Sequence, residues 1–124
     1  MGRDLIPEGA QALFRAPLVV AASNDDPDPL LIYGNRKALE LWELPWEKFT
    51  RTPARQTAEP MEQPARDRFL AEVRKNGFVE DYRGVRISST GRRFLIPKAA
   101  VWNLLDEAGR YRGQAAAFDH WEYL

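Results

Sequence analysis

Few residues of this chain have the types and spacing that could carry a reaction. The single histidine, His120, stands between Asp119 and Trp121 near the end of the sequence. Asp119 and His120 are neighbours in an extended run, so their side chains point to opposite faces of a sheet and cannot form a nucleophile-activating dyad. Glu80-Asp81 is a carboxylate pair with the same defect. Asp25, Asp26 and Asp28 crowd one loop and suggest calcium, but the Gly and the distal Glu of an EF-hand loop are missing, and residues 23–29 read as a turn. There is no Cys, which excludes a disulfide framework, thiolate metal sites, Cys nucleophiles and cysteinyl adducts to a cofactor. These patterns assign no catalytic residue and no metal ligand.

Composition sets the frame in which any site must sit. A chain of 124 residues, 44% hydrophobic and 29% charged, is a soluble globular domain with one core. The 18 basic and 18 acidic residues cancel, so no global field draws nucleic acid or an anionic membrane. Arg supplies 14 of the bases and Lys 4, which favours bidentate pairing with carboxylates. The longest apolar run, residues 17–22, is too short to span a bilayer, and residues 1–7 contain Asp4 and lack a signal-peptide core. A cytoplasmic location is the expectation.

The elements follow from periodicity and punctuation. Residues 78–87, 94–105 and 111–121 are rich in Val, Ile, Phe, Tyr and Trp and are joined by short Gly-bearing loops at 88–93 and 106–110. They predict a three-stranded antiparallel meander. Before it, residues 8–16 predict a short helix stopped by Pro17. Residues 18–22 and 30–33 predict two strands. Asn35 is suited to cap a helix that starts at Arg36 and buries Ala38, Leu39, Leu41 and Trp42. Pro45 closes that helix and opens a turn holding Trp46 and Phe49. Residues 50–64 read as a connecting segment. A helix opened by Pro64 places Ala65, Phe69, Leu70 and Val73 on one face, leaves Arg66, Asp67, Glu72 and Lys75 to solvent, and stops at Asn76-Gly77. The sum is an α+β fold: a five-stranded antiparallel sheet with helices on one face, in which the first strand pair returns beside the last strand.

In that order of elements the chain resembles a PAS domain. Ile32-Tyr33-Gly34-Asn35-Arg36-Lys37-Ala38 is similar to the stretch where a PAS strand ends at an Asn that caps the next helix, and residues 83–105 are similar to its later strand pair. A closer resemblance is to the MEKHLA domain family, a PAS-related group. It rests on Leu31-Ile32-Tyr33-Gly34-Asn35, Leu41-Trp42-Glu43-Leu44-Pro45-Trp46, Pro53-Ala54-Arg55-Gln56-Thr57-Ala58-Glu59-Pro60 and Gly77-Phe78-Val79-Glu80-Asp81-Tyr82-Arg83-Gly84-Val85-Arg86, and it covers residues 18–121. The domain is thus expected over residues 18–124, with residues 1–17 a helical extension. The resemblance implies a stand-alone, non-catalytic module for sensing or interaction. The role of the family's plant transcriptional regulators is not carried over, since no DNA-binding or output segment is evident.

A PAS-like sheet holds a ligand between its concave face and its helices. Simple alternation along residues 94–104 puts Phe94, Ile96, Lys98, Ala100, Trp102 and Leu104 on one face, and its larger side chains make that face the expected interior. Ala115 and Ala117 opposite Trp102 either accommodate the indole or leave a gap. Trp42, Trp46, Phe49 and Phe69 supply the helical wall of a pocket for a small aromatic or anionic ligand, with Tyr33 of the second strand a further candidate. Arg55 and Thr57 are expected to close it, with Arg55 anchoring an anionic or carbonyl group. The plainer alternatives are that the aromatics are core and that Arg55 pairs with Glu59. Arg83, Arg86, Arg92 and Arg93 read as a solvated sheet edge rather than a nucleic-acid patch. Haem is disfavoured because His120 belongs at the rim, while a non-covalent flavin stays open. A homodimer through the N-terminal helix or the outer sheet face is expected. The alternative class is a small cone-shaped enzyme of the ketosteroid-isomerase type, which would need an inward Asp or Tyr acid–base pair. A third is a structural interaction module with no cavity.

Overall fold

The structure, a computed structural model, describes residues 8–124. Of the extension expected over residues 1–17, helix α1 (Glu8–Arg15) is described, and the first seven residues lie outside the described residues. Strand β1 (Val19–Asn24) follows, and the chain turns back into β2 (Leu31–Gly34). The turn is closed by Asn24, whose Oδ1 accepts from the Asp26 and Leu30 amides at 3.2 and 2.9 Å. The acidic loop is therefore held by a local side chain–backbone motif of the kind Asn favours.

Asn35 caps α2 (Arg36–Trp42), as expected, and does more. Its Oδ1 accepts from Ala38 N at 3.1 Å and Val20 N at 3.0 Å, while Nδ2 donates to Leu13 O at 3.2 Å and Leu18 O at 2.7 Å. One fully buried amide thus ties α2 to β1 and to the end of α1. Helix α2 ends at Glu43, whose φ of 58° is left-handed. The Glu43 carboxylate accepts from Ser88 Oγ at 2.7 Å and from Thr90 Oγ1, so the loop at residues 88–90 is clamped to the helix end. A short α3 (Trp46–Phe49) follows Pro45. The connecting segment contains two 3-10 turns, Ala54–Thr57 and Pro60–Glu62, and is laid over the core by a bridge from Leu30 to Pro53. Helix α4 (Gln63–Asn76) carries Pro64 in its first turn and stops at Gly77, where φ is 99°.

Strands β3 (Phe78–Ile87), β4 (Arg93–Leu105) and β5 (Tyr111–Phe118) form the meander, and a two-residue β6 (Glu122–Tyr123) pairs with the start of β4. The strand order is β2-β1-β5-β4-β3, every neighbour antiparallel, so the first pair returns beside the last long strand. Two-residue β6 is the one strand the sequence reading did not anticipate.

The interior face of β4 differs from simple alternation. Tyr82 pairs with Ala99 but Gly84 pairs with Ile96, so β4 spends three steps against two of β3. The extra residue falls at Pro97-Lys98, where Pro cannot donate to the ladder and a bulge is tolerated. Parity therefore switches. The buried residues are Phe94 and Ile96 before the bulge, then Ala99 and Val101 after it. Lys98 is exposed and needs no buried partner. Ala100 lies opposite Ala117 and Trp102 opposite Ala115, on the outer face rather than the interior one. The core converges on Trp42, whose ring meets Phe94, Phe49 and Phe118 edge-on at 5.6, 6.2 and 6.3 Å.

Candidate functional site

The space between sheet and helices exists because the sheet floor is built from small residues. Ala21 and Ala116 are direct cross-strand partners, Val101 faces Ala116 from the other side, and Ala99 lies one step along. Above this floor stand Trp42 of α2, Phe49 of α3, and Ala54 and Thr57 of the first 3-10 turn. Together with Leu31 and Phe118 they line a largely apolar cavity of about 100 Å³ that opens to solvent. A second space of about 220 Å³, with more polar walls, lies against Leu44, Gln56 and the Ser88-Ser89 loop. Leu31, Trp42 and Thr57 border both spaces. Trp42 is buried, and its Nε1–H has no partner among the described residues, an unusual state for a buried donor. Phe49 is seated by Gly34, where any Cβ would press on its ring at 2.7 Å.

The polar end of the cavity comes from α4 and β3. Arg66 and Arg86 both line it, beside Tyr82. Only 8% of Arg86 and 11% of the Arg66 side chain are exposed. Arg86 donates Nη1–H to its neighbour's carbonyl, Val85 O, at 2.9 Å and lies over the Tyr82 ring at 5.1 Å. Arg66 Nη1 reaches Asp67 Oδ1 at 3.2 Å, a carboxylate that is itself mostly in solvent. Among the described residues Arg86 forms no ion pair. Burial pulls both guanidiniums below their ordinary pKa; for Arg66 the charge of Arg86 adds to the effect. Tyr82 is positioned from two sides. Phe69 of α4 packs on its ring at 4.2 Å, and Gly84 leaves room for its phenol, which a Cβ there would strike. Gln114 completes the wall, its Nε2 donating to Leu70 O at 3.0 Å and Asn103 Oδ1 at 3.2 Å.

Of the residues expected from sequence, Trp42, Phe49 and Thr57 are brought together around the cavity, and Ala115 borders it from the neighbouring strand position. Phe69 stands behind Tyr82, and Phe94 packs on Trp42 in the core. Tyr33 and Trp46 form an edge-on pair at 5.8 Å away from the cavity. Trp102 and Ala117 belong to the outer face. Arg55 is exposed and pairs with Asp28 at 3.1 Å, while Glu59 pairs with Arg93 at 2.6 Å, so neither the anchoring role nor the Arg55–Glu59 pair is seen. His120 is exposed at the rim, 3.5 Å from the Glu122 carboxylate.

Sequence reasoning missed Arg66, Tyr82, Arg86 and Gln114. The signal was present for three of them. Tyr82, Gly84 and Arg86 share one parity of β3, and Arg66 stands at helical spacing from Phe69, Leu70 and Val73.

Comparison with known proteins agrees with this architecture. The sequence model of one family, described as the MEKHLA domain, matches residues 1–123. No curated protein matches the sequence. Among solved structures, a light-oxygen-voltage domain studied with a flavin analogue superposes with a TM-score of 0.72 at 15% identity, over 98% of this chain and 87% of that one. The PAS domain of a protein from Colwellia psychrerythraea gives 0.75 at 14% identity, over 94% and 98%. An RNA-binding light-oxygen-voltage receptor gives 0.73 at 17% identity; 91% of this chain is covered, but only 34% of the receptor. At such identities the likeness is one of fold, and the fold is PAS-like α+β.

Proposed function

The chain belongs to the MEKHLA domain family, and we propose that it is a sensory domain that binds a small molecule in the cavity beneath Trp42 and Phe49 and catalyses no reaction on it. The observation that carries this reading is the cavity itself, floored by alanines and bordered by a buried indole N–H that has no partner. A site built of apolar walls and a few unpaired donors is what ligand recognition requires. Occupancy there would press on α2 and α3, which supply Trp42 and Phe49 to the cavity wall.

The size of the cavity limits the ligand. An enclosed cavity of roughly 150 Å³ accommodates benzene; the space here is smaller, about 100 Å³, and opens to solvent, so it takes a short branched chain or at most one ring lying partly in the opening. The three-ring flavin suggested by the light-oxygen-voltage likeness does not fit it, and no Cys is present to form an adduct. The isomerase-type alternative fares worse: Tyr82 faces the cavity, but no Asp or Glu lines it, so an acid–base pair is lacking.

Two further elements complete the proposal. Two copies pair through the outer sheet face, where Phe78 and Trp102 are cross-strand neighbours and Phe78 is 60% exposed. The protein works in the cytoplasm without nucleic acid, in keeping with its zero net charge and with the absence, among the described residues, of a helix long and apolar enough to cross a membrane. Native mass spectrometry of the freshly purified protein, with an absorbance scan, tests the reading. A bound mass in the range of a single-ring compound is expected; a protein that neither carries nor takes up any small molecule would sink it.

A further inference from the structure

We infer that the ligand is a small apolar acid of about the size of benzoate, its carboxylate held by Arg66 and Arg86 and its body lying toward Trp42 and Phe49. The inference rests on the cavity reading above and specifies the ligand's chemistry. Its basis is an imbalance of charge. Two guanidiniums enter one small, largely apolar space, close enough that the charge of Arg86 lowers the preference of Arg66 for its own, and Arg86 has for partners only the Val85 carbonyl and Tyr82, through its ring and its phenol. The acids nearest them do not neutralise the pair. Asp67 is mostly solvated, and Glu62 acts on Arg86 only at a distance.

Buried charge without a counter-charge is costly, and an apolar side chain of similar volume fills such a position as well or better. Neither arginine is therefore explained by packing. Most of their N–H donors are uncommitted, and a guanidinium presents those donors as a planar fork that matches a carboxylate. The support around Arg86 has the same sense. Phe69 holds Tyr82, Gly84 admits its phenol, and the tyrosine ring lies under the guanidinium. This is the arrangement of a fixed anion receptor. A carboxylate is favoured over a bulkier phosphate ester because the volume is small, about 100 Å³, below the roughly 150 Å³ that encloses benzene, so the ring of the acid lies partly in the mouth of the space.

The test is calorimetric titration of the full chain with sodium benzoate and with benzyl alcohol, its uncharged analogue, in wild type, Arg86→Met and Arg66→Gln. Benzoate is expected to bind at least tenfold more tightly than benzyl alcohol, and each variant to weaken benzoate about tenfold to a hundredfold, the loss typical of a charge-assisted hydrogen bond. Benzyl alcohol binding should be the same in all three. Without ligand, Arg86→Met should melt at a higher temperature than wild type, because it removes an uncompensated charge; a lower melting temperature would make Arg86 a structural residue and overturn the inference. If Arg86→Met does not fold, that too assigns Arg86 a structural role and overturns the inference. Equal binding of the two compounds, or benzoate binding indifferent to both variants, would overturn the acid and leave the cavity reading standing. If neither compound binds, the benzoate-sized acid is overturned, and native mass spectrometry decides the cavity reading separately.

Discussion

The guanidinium of Arg86 lies over the ring of Tyr82, 5.1 Å from its centroid, and the residue between them, Gly84, is the reason it can. Three same-parity positions of β3 thus form one unit: a buried cation, an aromatic support and a gap that admits the support. Gly84→Ala places a methyl group against the Tyr82 phenol. It should cost about 1–3 kcal/mol in urea unfolding, the range for overpacking. Because the phenol oxygen is the nearest collider, Tyr82→Phe in the Gly84→Ala background should recover part of the loss, giving a double-mutant coupling above about 0.5 kcal/mol. Strict additivity would mean that the two residues do not meet.

Asn35 offers a sharper separation of roles. Asn35→Ala removes a cap and leaves the Val20 amide and the Leu18 carbonyl without their partner, so a loss of roughly 2–4 kcal/mol is expected. Asn35→Asp keeps the acceptor for Ala38 and Val20 but removes the donor to Leu13 and Leu18 and buries a charge beside two carbonyls. At neutral pH it should be no better than Ala. If Asp restored stability, the residue would be a cap and nothing more.

The clamp on α2 titrates. Hydrogen bonds from Thr90 and then Ser88 hold the Glu43 carboxyl below its ordinary value of 4.5, with the charge of Arg92 adding to them against slight desolvation. A depressed folded pKa contributes stability above the unfolded value that is lost as pH falls through the folded one. Melting temperature should therefore decline below about pH 4.5, and Glu43→Gln should show a shallower decline. Part of the decline should survive, because Asp106, held low chiefly by the Arg110 amide, follows the same sign. An identical pH profile in wild type and Glu43→Gln would remove the clamp from the account.

The dimer proposal has its own check. Phe78→Glu puts a charge on the outer face beside Trp102, away from the cavity lining. Sedimentation equilibrium should find wild type dimeric and the variant monomeric, with the melting temperature changed little. A monomeric wild type would end the proposal.

The order of strands and helices was legible because it is written in local signals: Asn35 as a cap, Pro64 and Gly77 as the bounds of α4, Gly-bearing loops between the strands of the meander. Trp42 and Phe49 were legible for the same reason, since each sits on a helical stretch whose inner face the pattern marks, whereas Thr57 came from the family resemblance of its segment. The face of β4 was not. A period-2 count carries its phase through any strand, and only pairing with β3 shows that Pro97-Lys98 absorbs an extra residue and turns Trp102 outward. The two arginines were misread as solvated, Arg66 on the outer face of its helix and Arg86 at the sheet edge, because charge at the surface is the ordinary case and it takes the packed helix to show them entering one space. Arg55 illustrates the converse: a polar segment shared with a family drew it toward the ligand, and Asp28, from a loop 27 residues away in sequence, holds it outside.

The central claim is that a small molecule enters the space between Trp42 and the alanine floor of the sheet. Methyl-resolved NMR of the full chain titrated with benzoate tests it most directly. The account predicts saturable shifts at Ala21, Ala54, Ala99 and Ala116 and at the Trp42 indole N–H, with Ala100 and Ala117 on the outer face unmoved. Shifts confined to surface positions, or none at saturating benzoate, would contradict it.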